Sequence, residues 1–120
     1  MFIALLCSMT LICCTNEEDA IVLVKVEKSG SPVSNEAVYM FPGTDTIYVI
    51  NSVKAGGMEI TDANGIAEFT VKRLSIGEEG TYRIFETFGE NGIINGRVAA
   101  YISSGARRIP LTLKQNVKDN

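Results

Sequence analysis

The chain has 120 residues, a net charge of −3, no histidine and no tryptophan, and its cysteines are Cys7, Cys13 and Cys14. Without histidine the usual general base, the Ser-His-Asp arrangement and the common zinc ligand are missing, so no enzymatic activity, cofactor or metal is expected. Acids outnumber bases, and Lys72-Arg73 and Arg107-Arg108 are the nearest approach to a basic cluster, so nucleic acid is not an expected partner.

The chain opens on an uncharged apolar run, Met1 to Cys14, followed at once by Thr15-Asn16-Glu17-Glu18-Asp19. A run of about fourteen residues is shorter than the roughly twenty that a membrane-spanning helix needs. The abrupt switch to acids reads as the end of a cleaved export signal. Leu11-Ile12-Cys13-Cys14 resembles a bacterial lipoprotein signal, with an aliphatic residue three positions before a cysteine. That resemblance implies a signal over 1–13, Cys14 as the lipidated first residue of the mature chain, and an acidic tether over 14–19. The acids also resemble the signal that sends lipoproteins of Bacteroidetes-type bacteria to the outer surface, which implies an outer-membrane location. Removing the leader leaves one thiol and no internal disulfide.

From Ala20 onward, short β-branched and aromatic stretches alternate with Gly, Asn, Asp and Ser, and no stretch has helical period. Strands are expected at Ile21–Glu27, Ala37–Phe41, Thr46–Val53, Met58–Thr61, Ile66–Val71, Tyr82–Phe88, Arg97–Ser103 and Arg108–Leu113. Asp62-Ala63-Asn64-Gly65 is the strongest hairpin signal: Asp62 can accept backbone hydrogen bonds, and Asn64 and Gly65 tolerate left-handed angles. Ile109, Leu111 and Leu113 share one face, which turns Pro110 outward to an edge or bulge. The expected fold is a seven- to eight-stranded antiparallel β-sandwich, Ig-like in architecture, over 20–113, with a polar tail over 114–120.

Gly30-Ser31-Pro32-Val33, Glu36-Ala37-Val38-Tyr39-Met40-Phe41, Thr61-Asp62-Ala63-Asn64-Gly65-Ile66-Ala67-Glu68-Phe69 and Gly80-Thr81-Tyr82-Arg83-Ile84 follow in that order. Together they resemble the transthyretin-like sandwich of carboxypeptidase regulatory domains and of the B-type repeats of collagen adhesins and pilins. The resemblance implies adhesion, spacer or regulatory work and no common active site. Pilin and adhesin members often carry a Lys-Asn isopeptide crosslink catalysed by a buried acid. The resemblance maps the lysine to Lys25, the acid to Glu86 and the asparagine to Asn116. Tyr82, Ile84 and Phe88 share the face of Glu86 by alternation, so its carboxyl is expected in the core with a raised pKa. Its other expected role is an inward acid paired with Lys25 or Arg97. Asn116 falls on the opposite parity to Ile109, Leu111 and Leu113, so only a bulge would bring it inward.

Other chemistry is sparse. Tyr101 stands where a Gly-x-Ser-x-Gly elbow around Ser103 needs glycine, and Asp62 with Asn64 reads as a turn, lacking the further acids of a calcium loop. Tyr39, Tyr48 and Tyr101 would stack sugars only if they faced outward together, while alternation buries most aromatic rings. Pro42 to Thr46 and the glycine-rich stretch Gly89 to Gly96 are long enough to form a recognition edge. The functional expectation is a non-catalytic cell-envelope lipoprotein, joined to membrane lipid through Cys14, with an envelope protein or a glycan as partner. Two alternatives stand beside it: an accessory subunit of an adhesin, pilus or glycan-uptake assembly, and a secreted enzyme-regulating domain.

Overall fold

The structure, a computed structural model, describes residues 18–42 and 57–116. The leader, Cys14, the start of the tether, the strand expected over Thr46–Val53 and the end of the tail lie outside the described residues. Among the described residues there are eight strands: β1 (Ala20–Lys28), β2 (Ser31–Pro32), β3 (Ala37–Pro42), β4 (Gly57–Ile60), β5 (Ile66–Val71), β6 (Thr81–Phe88), β7 (Ile94–Ile102) and β8 (Arg108–Gln115). A 3-10 turn, Arg73–Ser75, joins β5 to β6.

β1 is the spine. Its alternation buries Ala20, Val22, Val24 and Val26 completely and leaves Ile21, Leu23, Lys25 and Glu27 half-buried on the other face. Valine's branched Cβ suits the pleat and fills the face it turns inward. On one side β1 pairs antiparallel with β5, from Ala20↔Val71 to Lys25↔Ile66, and with the short β2. On the other side it pairs with β8 in parallel, from Ile21↔Arg108 to Lys28↔Gln115. This parallel pair departs from the all-antiparallel expectation. Composition does not encode strand direction, and parallel neighbours need a long connection between them, which here is the rest of the domain.

The remaining strands run β7-β6-β3-β4, antiparallel throughout. Among the described residues β7 and β8 share a single registered pair, Gly96↔Gln115. The sheet therefore curls there into two facing halves, β5-β1-β8 and β7-β6-β3-β4. Pro110 is exposed along the stretch where β8 is laddered on its β1 side alone. Between the halves, Val22, Val24, Val26, Phe69 and Leu113 meet Val38, Met40, Phe85 and Ile102. Phe69 and Phe85 touch across the gap edge to face, with centroids 5.1 Å apart. Each such buried side chain contributes about 1.5–3 kcal/mol relative to exposure.

The turn at Asp62–Gly65 forms, but the hairpin expected around it does not: it carries the chain from β4, paired with β3 in one half, to β5, paired with β1 in the other. Asp62 Oδ1 accepts from the backbone of Asn64 at 2.8 Å and of Ile66 at 3.0 Å. Gly65 takes the left-handed angle (φ 80°), and Asn64 does not. A Cβ on Gly65 would lie 2.9 Å from Pro32 Cβ and 3.1 Å from Val26 O, so the close approach of the β1–β2 hairpin excludes any larger residue. Thr61, buried, stitches the segment after β2 into place. Its hydroxyl donates to Val33 O at 2.7 Å and accepts from Glu36 N at 2.8 Å.

Candidate functional site

The two ends of the sandwich carry different chemistry. At the end where β1 finishes, a cleft of about 910 Å³ opens between Lys28, the Val33–Glu36 segment, the β6–β7 connection and the end of β8. Its floor is a directed hydrogen-bond chain. Gln115 Nε2 donates to Glu36 Oε2 at 3.2 Å and to Thr87 Oγ1 at 3.1 Å, and Thr87 Oγ1 donates to Asn95 Oδ1 at 2.6 Å. Asn116 N donates to Asn95 O at 2.7 Å, which closes β8 against β7. Gly96 makes room for this floor: a Cβ there would lie 2.5 Å from Leu113 Cδ2 and 2.8 Å from Thr87 Oγ1. The glycine-rich stretch anticipated as a recognition edge forms one wall. Gln115, Glu36, Thr87 and Asn95 were not singled out from sequence. The available signal was parity, because Gln115 continues the inward series of Ile109, Leu111 and Leu113, and β8 runs past its expected end at Leu113.

The opposite end gathers the basic pairs. Arg73 Nε donates to Glu18 O at 2.7 Å, while Nη1 and Nη2 donate to Ser104 O and Ala106 O, each at 2.5 Å. Asp19 Oδ1 accepts from Arg73 N at 2.8 Å and Asp19 Oδ2 lies 3.9 Å from Lys72 Nζ, while Arg107 pairs with Glu18. Glu18 and Asp19 are thus seated on Lys72, Arg73 and Arg107.

The residues expected to form a crosslink are not brought together. Lys25 turns to the outer face of β1 and lies 3.6 Å from Glu27. Asn116 is exposed beyond the end of β8. Glu86 is fully buried, as expected, but on the face of β6 away from Phe85 and the main core, together with Phe41 and Ile84. The core therefore separates it from Lys25. The reason is that the middle of β6 is covered on both faces, so alternation identified the companions of Glu86 without saying which side they take. Glu86 Oε2 accepts from Arg97 Nε at 3.2 Å, one of the two pairings named from sequence, and among the described residues Oε1 has no hydrogen-bond partner. Burial raises its pKa above the usual carboxylate value, opposed by the charge and hydrogen bond of Arg97.

No family model matches the chain, and no curated protein sequence matches it. Solved structures do. The basal pilin SpaB from Lactobacillus rhamnosus GG superposes with a TM-score of 0.60 at 15% identity, covering 84% of this chain and 99% of that one. The major pilin subunit BcpA of Bacillus cereus gives 0.53 at 14% identity, over 84% of this chain and 31% of that one. This is a sandwich fold shared with pilin domains. A chlorocatechol 1,2-dioxygenase from Pseudomonas putida also superposes, at 0.51 and 12% identity, covering 85% of this chain and 61% of the enzyme. At such identities the likeness concerns fold alone.

Among the described residues, Tyr39 stands apart from the exposed pair Tyr82 and Tyr101. Tyr39 is half-buried in a T-shaped contact with Phe88, ring centroids 5.5 Å apart, and Tyr48 lies outside the described residues. Tyr101 and Tyr82, cross-strand partners, are exposed with centroids 5.0 Å apart and planes tilted by 53°. Tyr101 donates to Glu79 O at 2.6 Å over Gly80, which ties it to the β5–β6 connection. Among the described residues no helix is long and apolar enough to cross a membrane.

Proposed function

We propose that this chain is a non-catalytic cell-envelope module. A transthyretin-like sandwich, freed of its export signal and held to a membrane by lipid on Cys14, serves as a structural or binding subunit of a surface assembly of the pilus or adhesin kind. The observation that carries this reading is the superposition of the sandwich on essentially the whole of a basal pilin. The ordered segments from Gly30 to Ile84 support the transthyretin-like assignment, and Leu11 to Cys14 supports the anchor. The seating of Glu18 and Asp19 on Arg73 fits a short tether entering at one end of the sandwich.

Incorporation of labelled fatty acid in the native host tests the anchor. The wild-type chain should carry label and fractionate with membranes, and Cys14→Ser should lose both. Co-purification from crosslinked, intact envelopes should return the same protein partner each time. A full-length, unlabelled chain in the cytosol would overturn the proposal.

A further inference from the structure

We infer that the cleft at the Lys28–Gln115 end binds a short neutral oligosaccharide. This deepens the reading of the chain as a binding module by naming the ligand class and the place. The cleft is within the size range of small-ligand sites. Its polar lining is dominated by carboxamides: Asn91, Asn95, Gln115 and Asn116. A carboxamide sets a donor beside an acceptor, the pattern that meets neighbouring sugar hydroxyls, each of which both donates and accepts. Three of the four are already oriented, Asn91 through its Oδ1, which accepts from Ile93 N at 3.1 Å. Both protons of Gln115 Nε2 are engaged by Glu36 and Thr87, which leaves Oε1 to accept from a ligand. Thr87 holds Asn95 Oδ1, which leaves Asn95 Nδ2 to donate. Groups fixed before binding cost less entropy when a ligand arrives.

The rest of the lining selects among ligand classes. Lys28 is outnumbered by Glu36 and Glu90, which disfavours phosphates and uronic acids. A lipid chain would strip water from the carboxamides without replacing their hydrogen bonds. A peptide added as a strand needs an open ladder, yet here Lys28 is registered with Ser31 and Gln115, and Gln115 with Gly96. Phe88 lends the cleft an aromatic ring, against which the C–H face of a pyranose can pack. The cleft also lies at the far end of the nine-residue β1 from the tether, about 26 Å away along the strand. A chain held at Glu18 therefore presents it outward.

Amide chemical shifts of the full ¹⁵N-labelled chain test the inference, with maltotriose, cellotriose, xylotriose and mannotriose as neutral probes and trigalacturonate as the anionic one. At least one neutral trisaccharide should shift the amides of the Gly89–Gly96 stretch and of Gln115. Asn116→Ala removes an exposed carboxamide and should weaken that binding about fivefold. Phe88→Leu, which keeps an apolar side chain and deletes the ring, should weaken it comparably. Three results would overturn the inference: no neutral trisaccharide acting at millimolar concentration, trigalacturonate binding better than the neutral probes, or shifts gathered at Tyr82 and Tyr101. None of them bears on the anchor, which the fatty-acid label reads separately.

Discussion

Thr61→Val deletes one hydroxyl from a buried position while keeping the side-chain shape. That hydroxyl joins Val33 O and Glu36 N at 2.7 and 2.8 Å, so the substitution strands one acceptor and one donor. An unsatisfied buried group costs about 1–3 kcal/mol, and because both bonds are only partly buried the lower figure applies to each, giving about 2 kcal/mol. For a body of about a hundred residues this is a fall in Tm of roughly 8–15 °C. Thr61→Ser keeps the hydroxyl and loses a methyl group, which costs about 1 kcal/mol. Urea denaturation followed by far-UV circular dichroism, extrapolated to water, measures both. The reasoning fails if the valine variant lies within about 0.5 kcal/mol of wild type, or if serine costs as much as valine.

Burial raises the Glu86 pKa from its usual value near 4.5, so the folded state binds this proton more tightly than the unfolded chain. The stability this contributes is complete below the unfolded pKa and is lost as pH rises through the raised one. Glu86→Gln should abolish that decline in urea titrations stepped from about pH 4 to about pH 7, and curves that stay parallel to wild type would contradict it. Arg73→Lys removes the planar fork that reaches Glu18, Ser104 and Ala106, and should cost about 1 kcal/mol. Amide hydrogen exchange should accelerate at Ala106, which donates to Ser103 O, while Val24 stays protected; unchanged exchange at Ala106 would refute the clamp.

What could be read from sequence was local. The run of β-branched residues located β1, and Asp62 with Gly65 located a tight turn, because these effects act within a few residues; that β4 and β5 then pair with β3 and β1 instead of with each other was not legible. Partners chosen across the domain were hidden. Nothing near Gln115 announces that Glu36, 79 positions away, receives its amide proton. Lys72-Arg73 and Arg107-Arg108 looked like separate surface pairs, and only folding sets Arg73 and Arg107 around Glu18. Glu86 was legible as a buried acid, but its side of the sheet was not, since β6 is covered on both faces.

The parallel register of β1 with β8 also determines how the domain carries mechanical load. β1 begins beside Arg108 and ends beside Gln115, so the strands enter and leave the sandwich at opposite poles. Tension between the start of β1 and the end of β8 runs along both strands and shears their whole ladder at once, where a hairpin pulled from its open end would unzip one rung at a time. Rupture then requires many rungs to fail together, which suits a link in a stretched chain.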